Sequence, residues 1–547
     1  MRKDNLLDSI ELWLSRRGRW IVFIIWLAVL VVFLSLSSDE LGGHLGGDNA
    51  HYIMLARSLA LGKGYRDLFL PGEPPHTKYP FLFPLMLSAF ARSSRPVFYS
   101  HIWVAIISSL IPLVGLGWVR LEGKSRVQSL LFFVLIGSLP RLFFIASNIL
   151  SEALFIFWLV LILFWIAYLR IKGLNIFRLI FLGICLILEY YTRSVGLIIA
   201  FAVIIVFILE REFRSKKFFH LPAWAWLIII FLLGIIPWQI RGIIYGNPYF
   251  HEFFLKNPYN PDLGYAGLVD LLTRFKENCL FYILPLGNFF YSRELGLNSE
   301  KYLGIISLLV SLIGLAGELW RKKFSSAVIF LSYFIFILFW PFQEIRFISL
   351  LYILVGYFFL RGLEIIFQKL PLKIKDLIPS LILIIIISWQ IKFMSDKLKY
   401  FHTPQYFPQE AVYVRGYRKL EEPVIDFSKY PSYWGAPKDY KRRWAHLIIM
   451  MKIAGEKLPQ SAIILSRTNR ITWYYSQRKS IRMLFTADHK KQWNYILKNK
   501  VKYILYDPYF AYLFSFLRES PRKIKVLYLT NIKVALLEIT DQPVEGK

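Results

Sequence analysis

The sequence predicts a polytopic α-helical membrane protein of about eleven spans, with a small extracytoplasmic α/β domain at its carboxyl end. Of the 547 residues, 56% are hydrophobic and 19% are charged, and the mean hydropathy is +0.47. A soluble protein of this size needs more polar surface. Apolar runs of near-membrane length recur along the first 395 residues, whereas residues 441–547 alternate short helix and strand patterns.

The apolar runs were compared with the roughly 20 residues that a helix needs to cross the hydrocarbon core. The first run is long for the apolar part of a secretory signal, so we interpret it as an uncleaved signal anchor. The predicted spans lie near 20–36, 97–119, 127–146, 153–169, 176–188, 195–209, 223–238, 303–320, 324–340, 347–360 and 377–391.

The loops between the runs alternate in charge. Lysine and arginine precede the first run and recur in every second loop, whereas the turns around Asn148 and Gln343 hold almost no lysine. Cytoplasmic loops are the ones enriched in these residues. The amino terminus is therefore predicted to be cytoplasmic, and an odd number of spans puts the carboxyl-terminal region outside.

The formal net charge is +30, from 66 Lys and Arg against 36 Asp and Glu. In a soluble protein this balance would suggest nucleic acid, but the apolar background makes membrane phospholipids the expected partner. From residue 394 onwards there are 28 Lys and Arg against 13 Asp and Glu. This basic tail either sits against anionic head groups or is a solvated face.

The predicted organisation is a transmembrane region at 1–395 with external loops at 38–96 and 241–302, a linker at 396–440, and an α/β domain at 441–547. The patterns in the last domain predict helices at 444–456 and 490–499, strands at 462–465, 481–484 and 502–506, and a hairpin at 525–539.

Ionisable residues beside apolar runs are costly, so polar segments on the predicted outer side are the candidate functional elements. Asp48 lies where a helix is predicted to begin, and helix capping alone would explain it. The functional interpretation is a general base that deprotonates an acceptor hydroxyl or amine. Lys78 lies between aromatic residues and prolines, where it either extends towards the interface or binds a phosphate.

Three further elements lie at the outer ends of later spans. Glu152 begins the fourth span, where the helix dipole is a sufficient structural reason for it. Arg193 lies in a tight turn between two apolar runs and is harder to explain structurally. Glu344 and Arg346 share another turn and could pair with other charges. Together these elements would put two carboxylates and three cations around one external cavity, which suits a lipid-linked phosphate donor.

The order of the motifs resembles the glycosyltransferase C superfamily, specifically bacterial relatives of protein O-mannosyltransferases and lipid A aminoarabinose transferases (glycosyltransferase 39-like). The resemblance covers about residues 10–395. It is carried by Gly47-Asp48-Asn49-Ala50-His51-Tyr52 with Ala56-Arg57-Ser58, and by Lys78-Tyr79-Pro80, Ser151-Glu152, Thr192-Arg193-Ser194 and Arg346.

The resemblance implies transfer of a hexose or pentose from an undecaprenyl- or dolichyl-phosphate donor, outside the cytoplasm, by a single inverting displacement. Asp48 would be the base, and Glu152 a second catalytic carboxylate. Lys78, Arg193 and Arg346 would bind the donor phosphate, while His51, Tyr52, Arg57 and Glu344 would contact substrate. The acceptor would be a lipid, a glycan or a protein, and the location a prokaryotic inner membrane.

The chain departs from this family at two motifs. Asn49 stands where several relatives carry a second acid, and Lys78-Tyr79-Pro80 replaces their Lys-Pro-Pro. The Trp-Trp-Asp-type signature of oligosaccharyltransferases is absent, which argues against en bloc transfer to asparagine.

Two alternatives remain open. One is a ligase or polymerase that acts on a polyprenyl-diphosphate glycan, and the other is a lipid or solute transporter, although no half-repeat or midplane charge supports it. His44, His51 and His76 have no strong metal-ligand spacing, so no cofactor is assigned and a divalent metal is left open. Without a phosphate-cradling Gly-x-x-x-x-Gly-Lys motif, neither a nucleotide sugar nor ATP is expected as direct substrate.

Overall fold

The structure is a computed structural model that describes residues 6–41, 47–246, 248–258, 261–288, 297–404, 414–415, 427–429, 438–486 and 488–543. A helical bundle comes first along the chain, and an α/β domain follows it. Most of the predicted linker at 396–440 lies outside the described residues, as does His44.

The bundle is built from helices that alternate with short turns, and one short antiparallel pair, β1 (Lys217–Phe218) and β2 (Leu221–Pro222), joins two of them. The helices are α1 (Leu6–Leu34), α2 (Asp48–Ala60), α3 (Leu82–Ser88), α4 (Pro96–Leu121), α5 (Arg126–Gly137), α6 (Pro140–Ala146), α7 (Glu152–Lys172), α8 (Ile176–Thr192), α9 (Gly196–Leu209), α10 (Arg211–Arg214), α11 (Ala223–Tyr245), α12 (Pro248–Phe254), α13 (Leu268–Gly287), α14 (Leu297–Trp320), α15 (Phe324–Phe339), α16 (Ile345–Ile348), α17 (Tyr352–Phe367), α18 (Leu372–Lys375) and α19 (Leu377–His402).

Within the described residues, seven helical segments are each long and apolar enough to cross a membrane. The pair α5 and α6 would make an eighth span bent by 53°, and the bend falls where Pro140 opens α6. The chain is therefore a multi-pass membrane protein. The count of eleven stays a prediction, because α8, α9 and α15 are helical where spans are predicted but have only 17, 14 and 16 residues.

Helices α14 and α17 pack backbone against backbone. A Cβ atom added to Gly314 would lie 1.8 Å from the Phe358 carbonyl oxygen, and one added to Gly362 would lie 1.9 Å from the Val310 carbonyl oxygen. Only hydrogen atoms fit at these two positions, so the glycines permit the close approach of the two helices.

The region predicted as an external loop at 241–302 includes α13, which packs against the bundle. The buried Asn278 amide donates to the carbonyl oxygens of Leu338 and Trp340, at 2.9 Å each. Lys276 and Glu277 interrupt the apolar pattern of this helix, which is why its sequence does not resemble a span.

The carboxyl-terminal domain is built on a six-stranded mixed sheet with the order β3-β7-β8-β6-β4-β5. β4 runs parallel to β5 and β6, and β8 is antiparallel to β6 and β7. The predicted α/β domain is confirmed, and α21 is a helix that the sequence patterns missed. Its elements are β3 (Val414–Arg415), α20 (Lys438–Lys457), β4 (Ile463–Ser466), α21 (Asn469–Ser476), β5 (Lys479–Arg482), α22 (His489–Lys498), β6 (Tyr503–Tyr506), a 3-10 segment (Pro508–Glu519), β7 (Arg522–Thr530) and β8 (Ala535–Pro543).

This domain docks on the segment between α2 and α3, which lies in the loop predicted at 38–96. The Ser480 amide donates to the Phe69 carbonyl oxygen at 2.8 Å, and Lys479 Nζ lies 2.7 Å from a Glu73 carboxylate oxygen. These contacts fix α21 beside α2 at one end of the bundle, which we call the domain end.

Candidate functional site

The site is centred on Asp48, the first residue of α2. Gly47 precedes it in the left-handed region, with φ of 85°, and forms the N-cap. The N-cap residue is therefore Gly47 and not Asp48, which is the first residue of the helix. Its carboxylate is turned instead towards cations from two other parts of the chain.

Both carboxylate oxygens of Asp48 have charged or polar partners. Arg346 NH1 lies 2.7 Å from Oδ2, and Arg470 NH1 lies 3.1 Å from Oδ1. The Tyr79 hydroxyl donates to Oδ1 at 2.7 Å. Burial opposes ionisation, but the two guanidiniums and the hydroxyl outweigh it and hold the pKa of Asp48 well below its ordinary range. Asp48 is therefore an ionised carboxylate, and each of its two oxygens contacts an arginine.

Glu152 lies next to this centre, at the start of α7. Its side chain is 1% exposed, and Arg193 NH1 lies 2.8 Å from Oε1. Arg346 NH1 is 3.9 Å from the same oxygen, so Arg346 lies between Glu152 and Asp48. Glu344 forms an ion pair with Arg346 Nε. Glu152 begins α7, Arg193 follows the end of α8, and Arg346 lies in α16. The ends of these three helices thus bring the predicted site residues to the start of α2.

Lys78, another predicted phosphate ligand, forms an ion pair with Glu252. Its Nζ lies 2.6 Å from one Glu252 carboxylate oxygen and 2.8 Å from the other. Burial lowers the pKa of Lys78, and Glu252 opposes this shift. Glu252 lies on α12, inside the region predicted as an external loop, and nothing in the local sequence marked it as a partner of Lys78.

Of the predicted substrate contacts, Tyr52 lies at the centre and Arg57 does not. The Tyr52 hydroxyl is 3.0 Å from Ser151 Oγ, which Arg193 NH1 also contacts at 3.1 Å. Arg57 lies further along α2, where it donates to Gln477 Oε1 at 2.7 Å and lines a separate cavity of about 430 Å³ with Trp473.

His51 belongs to a cluster with Asp67 and His76, whose ligand atoms all lie within 4.8 Å of one another, close enough to hold a metal ion. His51 Nε2 lies 2.6 Å and His76 Nδ1 lies 2.9 Å from Asp67 Oδ1. Burial, followed by the charge of Arg470, lowers the pKa of His51 to about 3, so this ring is neutral near pH 7.

The hydrogen bonds of His76 restrict metal binding at this cluster. The Tyr79 backbone N–H donates to His76 Nε2 at 2.7 Å, so Nε2 carries no proton. The proton of the neutral ring then lies on Nδ1 and is donated to Asp67. A metal ion on Nδ1 would displace this proton to Nε2 and break the hydrogen bond to Tyr79. As arranged, the cluster is a hydrogen-bond network that supports the backbone at Tyr79.

Sequence reasoning missed three residues that complete the site: Tyr79, Glu252 and Arg470. Tyr79 lies within a segment that the motifs singled out, but its hydroxyl was given no role. Arg470 lies 422 residues from Asp48 along the chain. Nothing in the local sequence marked Arg470 as a partner of Asp48.

The sequence matches no protein-family model and no curated protein, so the comparisons rest on solved structures. The Archaeoglobus fulgidus oligosaccharyltransferase tethered to an acceptor peptide has a TM-score of 0.55 and 13% identity, covering 97% of this chain and 75% of that chain. ArnT from Cupriavidus metallidurans bound to undecaprenyl phosphate has a TM-score of 0.54 and 13% identity, covering 97% of this chain and 100% of that chain.

Two further structures of the archaeal enzyme carry other ligands. AglB from A. fulgidus with an inhibitory peptide and a dolichol-phosphate has a TM-score of 0.55 and 12% identity, covering 89% of this chain and 69% of that chain. The complex with Zn and sulfate has a TM-score of 0.54 and 13% identity, covering 88% and 67%. Likeness at such low identity concerns the fold, and the predicted glycosyltransferase C fold is confirmed.

Proposed function

We propose that this chain is an integral-membrane glycosyltransferase that moves a hexosyl or pentosyl group from a polyprenyl-phosphate donor to an extracytoplasmic acceptor. The observation that carries the proposal is the convergence of Asp48, Glu152, Arg193 and Arg346 at the domain end of the bundle. We infer the class of donor from two proteins of the same fold, because ArnT is bound to undecaprenyl phosphate and AglB to a dolichol-phosphate.

The cations of the site would stabilise the leaving phosphate. Arg346, Arg193 and Lys78 each contact a carboxylate at 2.6–2.8 Å, and a phosphate would compete for the same cations. In the reaction an acceptor oxygen or nitrogen attacks the anomeric carbon, and the bond from that carbon to the phosphate oxygen breaks. The polyprenyl phosphate leaves with the electron pair, so fixed positive charge at its oxygens lowers the barrier.

Asp48 would take the proton that the acceptor loses. Two guanidiniums hold the Asp48 carboxylate in its ionised form, which makes it a weak base while they remain in contact with it. Transfer of Arg346 to the donor phosphate would remove part of this stabilisation and make Asp48 more basic. Glu152 would keep Arg193 in place beside the phosphate. The attack from the face opposite the phosphate inverts the anomeric centre.

The direct test is Asp48→Asn, measured for sugar transfer and for binding of undecaprenyl phosphate by the purified chain. We expect transfer to be lost and binding to be retained, because asparagine keeps the shape and removes the base. Asp39→Asn is the matched control, since Asp39 is an exposed carboxylate of the same loop that forms an ion pair with Arg95. Unchanged transfer by Asp48→Asn would refute the role of Asp48.

The donor is identified by mass spectrometry of lipids that copurify from native membranes. A polyprenyl phosphate carrying one hexose or pentose supports the proposal. A polyprenyl diphosphate carrying a longer glycan would favour the ligase or polymerase alternative, and ordinary phospholipid alone would favour a transporter. The acceptor, whether lipid, glycan or protein, is then found by supplying the labelled donor to membranes.

A further inference from the structure

We propose that Arg470, carried by the carboxyl-terminal domain, is a fourth ligand of the donor phosphate and exchanges its contact with Asp48 for that phosphate. This inference rests on the proposed function, from which it takes the donor class. It assigns the extracytoplasmic domain a direct part in binding the donor, beyond the cations of the membrane bundle.

Arg470 reaches the centre of the site from α21. Its NH1 lies 3.1 Å from Asp48 Oδ1 and 3.1 Å from the Tyr79 hydroxyl oxygen, and its side chain is 22% exposed. The guanidinium carbon is 5.7 Å from the centre of the Tyr79 ring. Arg470 and Arg346 thus approach the two oxygens of one carboxylate. An anion that replaced this carboxylate would meet two guanidiniums, a geometry suited to phosphate.

The backbone before Asp48 is shaped to accept this arginine. A Cβ atom added to Gly47 would lie 3.3 Å from Arg470 Cβ, a tight contact, and the φ of 85° at Gly47 also disfavours other residues. The docking contacts of Lys479 and Ser480 with the segment between α2 and α3 hold α21 in place. The packed junction between the two domains therefore holds Arg470 in contact with Asp48.

The charge balance also favours phosphate binding by Arg470. The four carboxylates in the ion pairs described above are matched by three cations of the bundle together with Arg470. The Asp67 carboxylate, whose charge acts on Arg470, adds a fifth negative charge. These groups carry two net negative charges without Arg470 and one with it, so Arg470 weakens the repulsion that an incoming phosphate meets.

The test is binding of undecaprenyl phosphate by the full-length chain in detergent, titrated by native mass spectrometry. We expect Arg470→Ala to weaken binding roughly 10- to 100-fold, as loss of a hydrogen-bonded charge predicts. Arg470→Lys should weaken it less, because the charge remains and only the planar fork is lost. Arg518→Ala is the matched control, since it removes an exposed arginine of the same domain that takes no part in the contacts described at Asp48, and it should bind as the unmodified chain does.

Asp48→Asn in the same titration separates this inference from the proposed function. It removes the anion that competes for Arg470, so binding should be as tight as in the unmodified chain or tighter. Undiminished binding by Arg470→Ala would overturn the inference and leave Asp48 and Tyr79 as the partners of Arg470 in the site. Retained transfer by Asp48→Asn would overturn only the role of Asp48 as base, whereas the absence of undecaprenyl phosphate binding by the unmodified chain would overturn the donor class of the proposed function. If Arg470→Ala does not fold, Arg470→Gln gives the same measurement, and undiminished binding by that variant is equally decisive.

Discussion

Replacing Arg193 with alanine leaves Glu152 buried without its nearest cation. Removing one partner of a buried ion pair costs about 3–5 kcal/mol, because the remaining charge is uncompensated. One feature of the site limits this cost, because Arg346 NH1 remains 3.9 Å from the Glu152 carboxylate oxygen. We therefore expect Arg193→Ala to lose about 3 kcal/mol of stability.

The double variant Arg193→Ala with Glu152→Gln separates stability from donor binding. Glutamine keeps the shape of Glu152 and removes its charge, so the double variant should regain most of the lost stability. It should not regain affinity for undecaprenyl phosphate, because the proposed phosphate contact of Arg193 is still missing. The assay is the thermal unfolding midpoint in detergent, where 3 kcal/mol corresponds to about 3 °C for a chain of this size.

A double variant that unfolds at the temperature of the single variant would show that the Glu152 charge is not the cause. A double variant that recovers donor affinity would show that Arg193 does not contact the phosphate.

The remaining predictions concern packing and metal dependence. Gly314→Ala should lower the unfolding midpoint by several degrees, because its Cβ would lie 1.8 Å from the Phe358 carbonyl oxygen, whereas Gly115→Ala, whose Cβ would meet Phe132 at an ordinary 3.4 Å, should not. Equal midpoints for the two variants would refute the close contact between α14 and α17. Treatment with EDTA should leave transfer and the unfolding midpoint unchanged, because His76 Nδ1 carries a proton in the hydrogen-bond network; a loss that zinc restores would contradict that assignment.

Much of the fold follows from local sequence patterns. A membrane helix needs a continuous apolar run, and the run from 97 to 119 is sufficient to predict α4. In the carboxyl-terminal domain, short β-rich segments predict β4 and β6 within about a residue of their bounds. Helix α21 was missed because its eight residues are too few for a clear helical period.

The candidate site was predicted in part. The charge pattern of the loops and the motif order selected Asp48, Glu152, Arg193 and Arg346, and the structure brings these four residues together. Lys78 was selected too, but its contact with Glu252 spans 174 residues and leaves no local trace. The role of Arg57 as a substrate contact stays a prediction, and its position beside Gln477 is away from Asp48.

The sequence by itself determined where the helices and strands of this protein lie, and it singled out most of the charged residues at their ends. Both follow from local patterns, because hydrophobic periodicity and the cost of burying charge act over one or two helical turns. Only the tertiary structure decided which charges meet. Asp48 could not be matched with Arg470 from the sequence, since an ion pair depends on where two distant segments are carried by the packing of the helices between them. For the same reason the local sequence around Asp48 indicated only a helix cap, and the position of its carboxylate between two arginines depends on the tertiary structure.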